Sequence, residues 1–151
     1  MKTYTLTLSR NFPATHPRKG EETGFIDNIL AFKKIHTIRS NYEFWRKRFD
    51  EIEKGNAYLS LRYWEGKPYR SNQVEFKRLI KEDGIGLQCI DLSIFSDLGL
   101  CFLNTKNSAK RISPICIAKN DGLSSNDFRK WFKNYSLNEP MAIIHFTKFR
   151  Y

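Results

Sequence analysis

The chain has 151 residues, of which 40% are apolar and 15% aromatic, enough to bury a core and to exclude global disorder. Its 26 Lys+Arg against 16 Asp+Glu leave a formal charge of +10, which attracts polyanions, nucleic acid above all, and repels cations. No apolar run approaches the length of a membrane span, and Cys89, Cys101 and Cys116 form no C-x-x-C pair beside histidines, so neither a membrane protein nor a zinc module is expected.

In chain order, residues 3–8 alternate, with Tyr4, Leu6 and Leu8 on one face, and read as a strand. Residues 9–24 carry Pro13, Pro17, Gly20 and Gly24 and read as a loop, whose basic Arg10, Arg18 and Lys19 are expected to be mobile. Residues 25–33 set Ile26, Ile29, Leu30 and Lys33 at helical spacing. Residues 34–40, KIHTIRS, then break the pattern. An extended backbone there sends Ile35, Thr37 and Arg39 one way and Lys34, His36 and Ile38 the other, whereas a tighter loop brings Lys34 and Thr37 together. Residues 42–54 share a Trp45, Phe49 and Ile52 stripe and stop at Gly55, which predicts a helix.

Residues 57–64 alternate as a strand, and the turn Glu65-Gly66-Lys67-Pro68 leads to another at 74–80. Short strands are expected at 87–95, 98–103 and 115–118. Ser124-x-x-Asp127 is a capping box that opens a helix, with Phe128, Trp131, Phe132 and Tyr135 as its buried stripe. Residues 141–149 form a last strand after Pro140. The three cysteines sit among apolar neighbours and read as buried free thiols in a reducing compartment. The alternating start MKTYTLTLSR is no signal peptide, so a cytoplasmic protein is expected. No linker divides the chain, and strands dominate its middle without regular β–α alternation. The expectation is one domain over residues 1–151, of α+β class: a small mixed β-barrel with peripheral helices.

The segment around Lys34-x-x-Thr37 carries the most chemistry. A partly desolvated lysine amine beside a threonine hydroxyl can take its proton. Arg39 can fork onto a phosphate or pair with a carboxylate such as Glu43 or Asp121. His36 reads as a hydrogen-bonded structural histidine. A second basic patch interleaves Arg46, Lys47 and Arg48 with Trp45, followed by Trp64, Lys67, Tyr69 and Arg70, the mixture that suits looped or single-stranded RNA. Trp45 belongs to the core stripe, so Tyr69 and Arg70, beside a turn, are the better contact candidates. Lys106, Lys110 and Arg111 lie in a polar stretch, read as a loop, that extends the basic surface.

The run DNILAFKKIHTIR resembles the signature of the ASCH domains of the PUA-like superfamily: a short helix, a Lys, two residues, a Thr, and an Arg two further on. Lys34, Thr37 and Arg39 occupy those positions. IAKNDGLSSNDFRKWF resembles the family's acidic residue and capped helix, and MAIIHF its closing strand. Start and end match in order, the middle matches only in pattern, and residues 9–24 have no clear counterpart in the compact members.

The resemblance implies a PUA-like barrel. In the bacterial acetylcytidine amidohydrolases of this family the Lys accepts a proton, the Thr is the nucleophile and a Glu donates a proton. Those implied catalytic roles fall on Lys34, Thr37 and Asp121. Asp121 is a methylene shorter than Glu, which retracts the carboxyl by roughly an ångström and favours binding over hydrolysis. Asn120-Asp121-Gly122 is also a good turn sequence. The expected function is therefore binding of RNA or a nucleoside in a basic pocket of Lys34, Thr37, Arg39 and Asp121, with Tyr69 and Arg70 as further contacts. The alternatives are an amidohydrolase acting on an acylated pyrimidine nucleoside, and a basic adaptor for a protein partner. No cofactor or metal enters any of these readings.

Overall fold

The computed structural model describes residues 1–92, 101–104, 108–135 and 138–151, apart from the side chain of Cys101. Among these, eight strands form two sheets. One holds β1 (Lys2–Thr7), β3 (Ala57–Trp64) and β4 (Gln73–Leu79), in the order β1-β3-β4. The other holds β2 (His36–Arg39), β5 (Gly86–Asp91), β6 (Cys101–Asn104), β7 (Ala109–Ile112) and β8 (Met141–His145), in the order β2-β8-β5-β6-β7. The helices are α1 (Phe25–Leu30), α2 (Tyr42–Glu53), α3 (Pro114–Asn120) and α4 (Ser125–Phe132). Backbone pairing among the described residues closes neither sheet into a barrel.

Strand β8 is the axis of the molecule. All five residues of MAIIH are buried, as in a strand covered on both faces, and β2 and β5 flank it antiparallel. Its alternation divides the core. Ala142 and Ile144 face the three-stranded sheet and α2, packing with Leu59, Leu61, Trp45, Phe49 and Ile52. Met141 and Ile143 face the other way, toward Ile117, Ala118, Phe128 and Phe132 of α3 and α4. Each fully buried Leu, Ile, Met or Phe among them contributes about 1.5–3 kcal/mol.

Several sequence expectations shift. Residues 115–118 are not a strand but part of α3. Pro114 opens it, and burial falls on Ile117, Ala118 and Asp121 while Ile115 and Cys116 are exposed, which is a helical face and not an alternation. The buried-thiol reading therefore fails for Cys116, and Cys89 is only half-buried on β5. Lys110 and Arg111 sit on edge strand β7 instead of a loop; Lys106 lies outside the described residues, as do 93–95 and 98–100 of two expected strands.

In loop 9–24, Arg10 and Arg18 have side-chain partners. The Arg18 guanidinium donates to Glu21 at 2.6 Å and to Asp127 of α4 at 2.7 Å, and it covers the Phe12 ring. Arg10 donates to the Glu65 carbonyl and lies over Tyr63. The first helix ends at Leu30, the last strand at His145, and Tyr135 is largely exposed, outside the buried stripe of α4.

Candidate functional site

The motif segment turns out to be extended: His36–Arg39 is edge strand β2, with His36 opposite His145 and Thr37 opposite Ile144. It is fixed at its entrance by backbone bonds to two helices. The amides of Lys33 and Lys34 donate to the Asn28 carbonyl of α1, and that of Ile35 donates to the Asn120 carbonyl of α3. Lys34 and His36 thus point toward the end of α3, where Asp121 caps the helix. Asp121 is both a turn residue and a buried carboxylate.

The pair they make is almost dry. The Lys34 side chain is 1% exposed and that of Asp121 6%, with Nζ donating to Oδ1 at 3.0 Å and to the Asp121 main-chain carbonyl at 2.5 Å. The ammonium also lies 4.2 Å from the centre of the Phe25 ring, a favourable face for a cation. Gly122 makes the approach possible. Its φ is +80°, and a Cβ there would meet the Lys34 stem at 3.1–3.3 Å. Burial pushes the Lys34 amine below its ordinary pKa, partly offset by Asp121 and reinforced by Arg39. Burial works to raise the Asp121 carboxyl, but Lys34 and His36 outweigh it and hold it below the ordinary carboxylate range.

His36, read from the sequence as structural, is bound into the same group. It is fully buried, with Nδ1 3.4 Å from Asp121 Oδ1 and Nε2 2.7 Å from the Tyr151 hydroxyl. A bare nitrogen lone pair facing a carboxylate is repulsive, so the network assigns the ring proton to Nδ1. The Tyr151 hydroxyl then donates to Nε2 and accepts from Asn120 Nδ2 at 3.0 Å. Burial pushes His36 down, so the ring is neutral; His145, edge-on at 5.6 Å, is pushed down to about 3 by burial, by His36 and by Arg150.

On the other face of β2, Arg39 Nη1 donates to Thr37 Oγ1 at 2.9 Å and Nη2 to the Thr7 carbonyl of β1 at 2.9 Å. Neither carboxylate proposed as its partner pairs with it: Glu43 is taken by Arg46 at 2.9 Å, and Asp121 by Lys34. Burial lowers the Arg39 pKa, and the charge of Asp121 partly offsets this. The two faces of β2 meet at its open edge. There Lys34, Thr37, Arg39 and Asp121 line one narrow cleft of about 10 Å³, walled by Phe25, Trp131 and Phe132. That is at most the room for a single water. Trp131 and Phe132 come from α4, whose N-terminus is capped by Ser124, accepting from the Asp127 amide at 3.1 Å.

Tyr69 and Arg70 do not join this cleft. Both are exposed in the loop between β3 and β4, where Tyr69 holds a left-handed φ of 63° and packs on Trp64. Trp45 is core, as its stripe indicates, and its neighbour Arg48 covers the Phe44, Trp45 and Tyr4 rings.

Among known protein families, curated proteins and solved structures, nothing matches this chain. The Lys34–Asp121 pair is close to neutral as a unit, whereas Arg39 has no carboxylate within ion-pair reach among the described residues. The cleft so presents one guanidinium without an ion-pair partner among the described residues, a threonine hydroxyl and aromatic walls. That combination suits a flat, polar, electron-rich ligand.

Proposed function

We propose that the cleft at the edge of β2 binds a nucleoside or nucleotide unit of RNA, in an ASCH-like domain of PUA-like architecture. The observation that carries this reading is the convergence of Lys34 and Asp121, 87 residues apart, with Thr37 and Arg39 on one cleft. The formal charge of +10 supports a polyanionic ligand, and Phe25, Trp131 and Phe132 supply apolar faces for a base. The PUA-like architecture is supported by the position of β1 and β2: each is the edge of its sheet, and Arg39 bridges them.

A second reading, hydrolysis of an acylated pyrimidine nucleoside, draws on the lowered Lys34 amine and the Thr37 hydroxyl in the same cleft. In that scheme the amine takes the Thr37 proton, the hydroxyl oxygen attacks the acyl carbonyl, and a carboxylic acid protonates the departing amine. Asp121 is poorly disposed to be that acid, because Lys34 and His36 hold it ionised. Thr37 Oγ1 accepts from Arg39, while the Lys34 amine is directed at Asp121. Binding therefore leads.

The test is calorimetric titration of cytidine, acetylated cytidine and short single-stranded RNA into the wild type and into Lys34→Met and Arg39→Ala. Binding that Arg39→Ala weakens about ten-fold or more is the expected result, since a charge-assisted hydrogen bond contributes about 1.5–3 kcal/mol. Unchanged affinity in both variants would place the ligand elsewhere.

A further inference from the structure

A larger, open cleft of about 210 Å³ adjoins the first and shares its Phe25 wall. That is below the roughly 300–1,000 Å³ of drug-sized ligand sites, so it is a shallow subsite, lined by Arg10, Glu22, Asp27 and Tyr63. Arg10 lies with its guanidinium carbon 5.2 Å from the centre of the Tyr63 ring, within cation–π range. Glu22 and Asp27 are both exposed, and among the described residues neither enters an ion pair. Carboxylates repel phosphate but accept hydrogen bonds from the exocyclic amines of cytosine, adenine or guanine. A phosphate is thereby disfavoured inside this cleft, and a base is favoured.

We infer that this cleft is a second subsite, which stacks an amino-bearing nucleobase adjacent to the unit held at Lys34, Thr37 and Asp121, so that the ligand is a single-stranded RNA segment and not a free nucleoside. The inference rests on the reading given above for the first cleft. Tyr63 and Arg10 form the stacking surface, Asp27 and Glu22 select for the amine, and Phe25 separates the two bases.

The experiment measures the affinity of cytidine, oligocytidine and oligouridine for wild type, Tyr63→Leu and the double variant Glu22→Gln/Asp27→Asn. Tyr63 is half-buried and the carboxylates are exposed, so these variants keep the core, which circular dichroism verifies. Base stacking on an aromatic contributes about 1–3 kcal/mol, so Tyr63→Leu should weaken oligocytidine about ten-fold and leave cytidine unchanged. The double carboxylate variant should lose the wild-type preference for oligocytidine over oligouridine. Equal oligonucleotide affinity in Tyr63→Leu, or no such preference in the wild type, overturns the second subsite while leaving the first intact. If Lys34→Met spares oligonucleotide binding and Tyr63→Leu abolishes it, the first reading fails instead. A wild type that binds none of the three ligands overturns both.

Discussion

Replacing Asp121 by Asn keeps the shape of the side chain and removes its charge, leaving the Lys34 ammonium alone in a site where it is 1% exposed. At 3.0 Å and an effective dielectric of about 20, the lost attraction is about 5 kcal/mol. The protein can escape part of this by releasing the proton from Lys34. Doing so at pH 7, against an ordinary pKa of 10.5, also costs about 5 kcal/mol, which caps the penalty. Because the main-chain carbonyl of residue 121 and the Phe25 ring still receive the amine, a loss of about 3–5 kcal/mol is expected. Urea unfolding followed by circular dichroism measures it.

The sign of the pH dependence adds a second check. With Lys34 neutral in the folded variant and charged when unfolded, the unfolded state binds the extra proton. Stability then rises with pH by up to about 1.4 kcal/mol per unit between pH 7 and the ordinary lysine pKa, more steeply than in the wild type. Lys34→Met combined with Asp121→Leu should recover most of the loss, since a buried ion pair is often replaceable by apolar side chains. A penalty below about 1 kcal/mol, or one indifferent to pH, would refute the account of the pair as buried and charged.

Tyr151→Phe strips the buried His36 Nε2 of its hydroxyl partner and should cost about 1–3 kcal/mol in the same unfolding assay. His145, held neutral with a pKa near 3, makes the folded state lose ground as pH falls below the ordinary histidine value of 6.5. Its effect costs about 1.6 kcal/mol from pH 6.5 to 5, and His145→Gln should flatten that slope. If the amidohydrolase reading holds, Thr37→Ser keeps turnover of acetylated cytidine and Thr37→Val abolishes it, as chromatography of the nucleoside would show; inactivity of the wild type removes that reading. RNA affinity should fall with salt at a log–log slope of roughly −3 if ~4 phosphates are neutralised, and a flat profile would argue against a strand as ligand.

What could be read from the sequence was governed by how locally each feature is encoded. The Ala57–Trp64 strand is recovered residue for residue, because strict alternation bounded by Gly55 and the Glu65–Pro68 turn leaves no rival period. The Trp45, Phe49 and Ile52 stripe and the Ser124 cap are equally local signals. The apolar run at 115–118 is too short for periodicity to separate strand from helix, and only Pro114 marked it as a helix start. Edge strands β2 and β7 are rich in polar residues and carry little strand signal. At the site, the spacing of Lys34, Thr37 and Arg39 marked the place, and the Asn-Asp-Gly turn marked Asp121. The link from Asp121 through His36 to Tyr151 joins residues 115 apart and leaves no trace in local pattern. The absence of a carboxylate partner for Arg39 among the described residues is likewise a property of packing alone.

Arg39 has one more consequence. Between β1 and β2 the molecule is fastened by a side chain, through the Thr7 carbonyl, and not by a ladder of amides. A backbone seam would have to be unzipped residue by residue, whereas this one behaves as a latch: swinging one guanidinium aside breaks the Thr7 contact, at a net cost of about 1.5–3 kcal/mol. The narrow cleft lies beside this contact, so a ligand of the proposed kind would have to draw Arg39 away from Thr7 to enter. An incoming anionic or carbonyl oxygen offers the guanidinium a substitute acceptor as it lets go of Thr7. Entry and recognition would then be the same motion, with the key turning the latch.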